Sequence, residues 1–162
     1  MKASEYLKEF LSKKKRRHSK EVADIVLKAG GTKQQKRMAM LHDVVEATSK
    51  KYRKQVKKEI RDLYGKDVMK AVESLTTKSK GGKKKAQEIA DKVYDMDDDV
   101  LEVKLADRLS NLRNRNITKK YKKKTKMLLN AAKDRELTPV QKDIIKDIKK
   151  VLKEDEDITE EI

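Results

Sequence analysis

VLEVKLADRLSNLRN, residues 100–114, is the stretch whose reading decides the fold. Leu101, Leu105, Leu109 and Leu112 recur at helical spacing along one side, while Lys104, Asp107, Arg108 and Asn111 fall at i, i+3, i+4 and i+7 on the other. Val100, Val103 and Ala106 carry the apolar surface around both flanks, so the polar stripe is narrow and is expected to face a cleft. An aspartate in that position needs a partner. Asp95, Asp97, Asp98 and Asp99 precede the stretch, where carboxylates complement the positive end of a helix dipole.

The same period runs outward through most of the 162 residues. A first helix is expected over 3–15, with Tyr6, Phe10 and Leu11 inward and the basic block Lys13 to Arg17 at its end. A second covers 19–29 with Ser19 as N-cap and Gly30-Gly31 as stop. Thr32 caps a third that carries Met38, Leu41 and Val45 inward and ends near Thr48 or Ser49. Val56, Ile60 and Leu63 mark a fourth, stopped by Gly65, and Asp67 to Leu75 a short fifth. The lysine-rich stretch Thr76 to Lys85 reads as a mobile loop. A sixth helix follows over Ala86 to Tyr94, the deciding stretch forms the seventh, and another spans 118–134. Leu137-Thr138-Pro139 restarts the chain into a last helix to about Lys153. Residues 154–162 form an acidic, frayed tail. The methionines at 38, 40, 69, 96 and 127 read as core filler.

Composition agrees with an all-α chain. One Pro and five Gly do not supply the turns of a β-sandwich or barrel. Hydrophobic residues make up 36% and charged residues 44%, which places disorder against a folded domain, and the sustained helical period decides for the folded domain. The expectation is a compact single-domain helical bundle of eight to nine helices over 1–153. Absence of cysteine removes disulfides, thiolate metal sites and cysteine nucleophiles, and suits a reducing cytoplasm. No segment approaches a membrane span, so no membrane association is expected. With 44 Lys+Arg against 28 Asp+Glu, the net charge of +16 points to an anionic partner.

Only two histidines occur, His18 and His42, and Asp43 follows the second. Neighbouring helical residues diverge by about 100°, so His42 and Asp43 converge on one ion only at the edge of a cleft. Glu46 lies on the same side of that helix. Alone, the dipeptide is better described as a satisfied core histidine beside a surface charge. With the polar stripe of 104–111, two imidazoles and two carboxylates become available. That set, with open water positions, favours six-coordinate Mn²⁺, Fe²⁺ or a similar divalent cation over a closed structural zinc site.

The strings HSKEVADIVLKAG (18–30), MAMLHDVVEAT (38–48), VESLTT (72–77) and VLEVKLADRLSNLRN (100–114) resemble, in order and spacing, the hydrolase domain of the RelA/SpoT alarmone enzymes. They are also similar to the stand-alone small alarmone hydrolases, including the metazoan SpoT homologs, a branch of the HD-domain metal-dependent phosphohydrolases. The resemblance covers about residues 15–120. It implies an HD-type helical fold and a Mn²⁺ site built by His18, His42, Asp43 and Asp107. It further implies Asn111 as a substrate contact, with Lys104 and Arg108 at basic positions of the same motif. The implied partner is a phosphorylated guanine nucleotide, and the implied reaction hydrolyses the 3′-pyrophosphate of (p)ppGpp to GDP or GTP and pyrophosphate.

Two departures stand beside the resemblance. The family usually has Glu-Asp after the His-Asp pair to orient or activate the attacking water; here the residues are Glu46 and Ala47, and alanine accepts no proton. The family also presents a longer loop with Tyr and Pro beside the first histidine, where this chain reads KKKRRHSKE. Two other functions are therefore carried forward: a nucleotide sensor that keeps the pocket without turnover, and a basic nucleic-acid binder using the lysine runs at 13–17, 83–85 and 122–124. Sparse aromatics for base stacking favour a solvated lysine surface over the nucleic-acid binder. The Gly81-Gly82 pair lacks the spacing of a phosphate-binding loop. Oligomeric state is not encoded in any of these features.

Overall fold

The computed structural model describes residues 1–76 and 81–161, and among them the chain forms ten α-helices and no strand. These are α1 (Ala3–Tyr6), α2 (Lys13–Lys28), α3 (Lys33–Leu41), α4 (Val44–Ala47), α5 (Arg53–Tyr64), α6 (Lys66–Leu75), α7 (Gly82–Val93), α8 (Asp98–Asn114), α9 (Lys119–Lys133) and α10 (Pro139–Glu161). Helix α8 is the axis of the bundle: α2, α3, α6 and α10 all pack on it. Leu101, Leu105 and Leu109 are buried, and truncating such a residue to alanine costs about 2–5 kcal/mol. Glu102, Asp107, Arg108 and Ser110 are buried on the same helix, so α8 is enclosed further round than its leucine pattern implies. The architecture is an all-α, compact single-domain bundle, and no helix among the described residues is long and apolar enough to cross a membrane.

Several boundaries differ from the sequence reading. The expected first helix over 3–15 breaks: α1 runs into a 3-10 turn at Leu7–Glu9, and α2 begins at Lys13. The cause is Ser12, which takes an extended backbone and accepts a hydrogen bond from the Lys15 amide; Ser19, the expected cap, is buried within α2. The basic block therefore forms the first turn of α2, and His18 sits inside a helix. The expected third helix also divides. Its start holds, with Thr32 and Gln35 forming a full capping box, but it ends at Leu41, where the His42 side chain bonds the Ala39 carbonyl.

The stretch expected as a mobile loop is helical from Gly82 onward, and its residues 77–80, with the end of the VESLTT string, lie outside the described residues. Of the three residues that mark the fourth helix, Val56 and Ile60 are buried, whereas Leu63 is 47% exposed. Gly65 stops α5 as expected, at a positive φ of 98° that favours glycine. Helix α10 continues past Lys153 to Glu161, because Lys122 of α9 pairs with Asp155 at 3.6 Å and Glu156 at 3.1 Å. Of the methionines, 38, 40, 69 and 96 are buried in the core.

Candidate metal centre

Helix α2 brings His18, the α3–α4 junction brings His42 and Asp43, and α8 brings Asp107 to one point. His18 Nε2 lies 2.7 Å and His42 Nε2 3.2 Å from the same oxygen, Asp107 Oδ1. The ligand atoms of His18, His42 and Asp107 all fall within 4.8 Å of one another. Asp43 Oδ2 stands 3.3 Å from His42 Nε2 and 4.0 Å from His18 Nε2. The break between α3 and α4 makes this possible, since a continuous helix would turn His42 and Asp43 apart.

Each imidazole is aimed by its other nitrogen. The carbonyl of Ala39 can only accept, so His42 Nδ1 carries a proton and donates it over 2.5 Å, leaving Nε2 for the cluster. His18 Nδ1 lies 3.0 Å from Ser110 Oγ, a fully buried hydroxyl, with Nε2 again toward Asp107. Such outer partners fix ring orientation in metal sites. The second Asp107 oxygen, Oδ2, receives Lys104 Nζ at 3.4 Å.

The electrostatics follow from burial and proximity. Burial opposes a charge on His42, yet Asp43 and the Asp107 hydrogen bond outweigh it and push its pKa up to about 9. Burial also opposes ionisation of Asp107, but Lys104 and the two imidazoles hold it well below the usual carboxylate range. A carboxylate that stays ionised while buried between two imidazole nitrogens is a donor set for a cation. The residues fit a divalent ion, whose binding replaces a proton on His42.

The cluster lies in a cleft of about 760 Å³, within the range of small-molecule sites. Lys104, Arg108, Asn111 and Glu46 line it, so the residues read from the polar stripe and from the His-Asp segment meet there. Arg108 is buried over the Tyr121 ring at 4.6 Å, and its Nε and Nη1 have no hydrogen-bond partner among the described residues. Glu46 is positioned by its short helix: Arg53 donates to the carbonyls of Glu46 and Thr48 at 3.2 and 3.0 Å, tying down the end of α4. Ala47 does not line the cleft and is exposed.

Sequence reasoning missed Ser110, although its position three residues after Asp107 on α8 was a usable signal. It passed over Glu21 and Arg115 and placed Lys85 and Lys124 in lysine runs of a nucleic-acid surface, and all four line the cleft with Tyr121. These come from α2, α7, α9 and the end of α8, and only tertiary packing assembles them.

The fold has a solved counterpart. A structure described as a metazoan ortholog of SpoT that hydrolyzes ppGpp and plays a role in starvation responses superposes with a TM-score of 0.64. The match covers 83% of this chain and 79% of that one at 20% identity. No protein-family model and no curated protein matches the sequence. The likeness is one of fold, and the His18–His42–Asp107 cluster gives that fold a site consistent with metal binding.

Proposed function

We propose that this chain is a metal-dependent phosphohydrolase that removes the 3′-pyrophosphate of (p)ppGpp, yielding GDP or GTP and pyrophosphate. The observation that carries the reading is the convergence of two imidazole nitrogens on one ionised aspartate inside a cleft lined by lysine and arginine. The activity described for the structurally similar SpoT ortholog supports the choice of substrate.

In this reading His18, His42, Asp43 and Asp107 hold a divalent cation, with Mn²⁺ favoured and Fe²⁺ as the alternative. Such an ion acidifies water and polarises a phosphoryl oxygen. Glu46 accepts the proton of the attacking water. Lys104 keeps Asp107 ionised and, with Arg108, offsets charge that builds on the phosphoryl oxygens during transfer. Asn111, one helical turn beyond Asp107, contacts the sugar or the phosphate. Water adds at phosphorus, the bond to the ribose 3′-oxygen breaks, and that oxygen leaves with a proton.

Release of pyrophosphate from ppGpp by chelator-stripped protein supplemented with Mn²⁺ tests this. Release is expected, lost in His42→Ala and Asp107→Ala, and lowered about 10²–10⁴-fold in Glu46→Gln. Release that survives chelator, or none at high enzyme concentration, contradicts it. A second reading, a nucleotide sensor without turnover, comes from the sequence departure at position 47, where alanine stands in place of the family's acid, although that position lies outside the cleft. That reading expects tight binding in calorimetry with the nucleotide recovered intact.

A further inference from the structure

Four carboxylates line the cleft, and three of them, Asp43, Glu46 and Asp107, have roles in the hydrolysis proposed above. The fourth is Glu21, on α2 one turn beyond His18. Its placement is odd on electrostatic grounds, because the remaining charged lining is cationic: Arg17, Lys104, Arg108, Arg115 and Lys124 among others. None of them is ion-paired with it. Among the described residues its hydrogen-bond partner is Asn114, whose Nδ2 donates to Glu21 Oε2 at 2.6 Å and to the Ser110 carbonyl at 2.8 Å. Those two acceptors fix the amide orientation, and Asn114 holds one carboxylate oxygen of a residue that lines the cleft.

The position along the helices gives the distance from the reacting group. His18 meets Asp107 and Ser110, and Glu21 meets Asn114, so α2 and α8 lead away from the cluster together. Seven residues of α8 separate Asp107 from Asn114, about 10 Å along the axis. That is comparable to the span of a nucleoside from its 3′-oxygen to the pairing edge of its base. Next to Asn114, the exposed Arg115 guanidinium lies 4.3 Å from the centroid of the Tyr121 ring, and planes of this kind are surfaces on which bases stack.

We infer that Glu21 is the base-reading residue of this cleft, selecting a purine that presents adjacent N–H donors, as guanine does through N1 and N2. The inference rests on the proposed hydrolysis of a nucleoside 3′-pyrophosphate and adds the feature that selects the base. An ionised carboxylate only accepts hydrogen bonds, and each oxygen carries two lone pairs, so Oε2 takes a second donor beside Asn114 and a pair of parallel N–H donors meets both oxygens in the bidentate manner. Hypoxanthine offers one of the two donors. Adenine turns the lone pair of its N1 toward the carboxylate and is rejected. Glutamine at this position keeps an oxygen for Asn114 and presents an amide N–H₂ in place of the acceptor, reversing the sign of the contact.

The experiment compares guanosine, inosine and adenosine 3′-pyrophosphates with Mn²⁺-loaded wild type and Glu21→Gln, measuring kcat/KM and, by calorimetry, Kd for each. Wild type is expected to order them guanosine, inosine, adenosine, with about 100-fold between the first and last. In Glu21→Gln that ratio falls below about fivefold while the adenosine compound is handled at least as well as before. Asn114→Ala, which frees the carboxylate, reduces the ratio less. Equal use of all three bases by wild type overturns the inference, as does an unchanged ratio in Glu21→Gln. So does an equal loss of kcat for every base in Glu21→Gln, which would place Glu21 at the reaction. If no compound is hydrolysed, the hydrolase reading fails, and the order of the Kd values still decides the role of Glu21.

Discussion

His42 uses its two ring nitrogens for different ends, and the site depends on both. Nδ1 donates to Ala39, which ends α3 and swings Asp43 toward the cluster, while Nε2 is presented to Asp107. His18 relies on Ser110 in the same way. Ser110→Ala removes the group that orients His18 and leaves a polar ring nitrogen in a buried place, so Mn²⁺ affinity should fall about tenfold by calorimetry, with the fold intact by circular dichroism. An unchanged affinity would mean that packing alone orients His18. At this scale His18 and His42 were legible because the chain has only two histidines, and Asp43 and Asp107 because their registers beside His42 and on the polar stripe of α8 are identifiable. Ser110 was not, since a serine on a helix acquires meaning only from the ring packed against it. Glu21 was hidden for a similar reason: on a chain this charged, one glutamate is conspicuous only when its surroundings are known.

Helices α3, α8 and α10 are joined by one buried carboxylate. Glu102 accepts from Thr138 Oγ1 at 2.7 Å and from the Gln35 amide, so a single side chain of α8 touches the capping boxes of both α3 and α10. Burial raises the Glu102 pKa, hydrogen bonds from Thr138 and Gln35 lower it in part, and Asp99 and Asp98 raise it further. The folded protein thus holds this proton more tightly than the unfolded chain does, whose glutamate titrates at about 4.3. The resulting stabilisation is complete below that pH and is lost as pH rises through the higher folded value. Glu102→Gln is therefore expected to have a higher melting temperature than wild type at pH 7.5, with the difference shrinking toward zero near pH 4. A difference independent of pH would assign the effect to hydrogen bonding instead. Thr32 and Thr138 were readable as helix starts from local chemistry. The breaks at Ser12 and His42 were not, because neither glycine nor proline marks them and the apolar period runs straight across.

Taken whole, the molecule places an excess of positive charge around a cleft whose floor is an anionic cluster. Lys85 and Lys124 reach the cleft through the packing of α7 on α9, and Lys104, Arg108 and Arg115 through α8. A lysine-rich composition pointed to an anionic partner, but not to cations gathered over the His-Asp site, since that requires helices from distant parts of the chain to close around it. The KM for ppGpp should accordingly rise several-fold between 50 and 300 mM NaCl with little change in kcat. Duplex DNA retention, measured in parallel, should vanish near physiological salt. Salt-resistant DNA binding together with a salt-insensitive KM would shift the main role of the charge to nucleic acid.

The most direct test is a Mn²⁺ titration of chelator-stripped protein, followed by calorimetry and electron paramagnetic resonance. The arrangement of His18, His42 and Asp107 predicts one ion per chain with imidazole nitrogen coupling, proton release on binding, and loss of the site in His42→Ala and in Asp107→Ala. No uptake, or uptake unaltered by either substitution, would contradict a metal centre at this place.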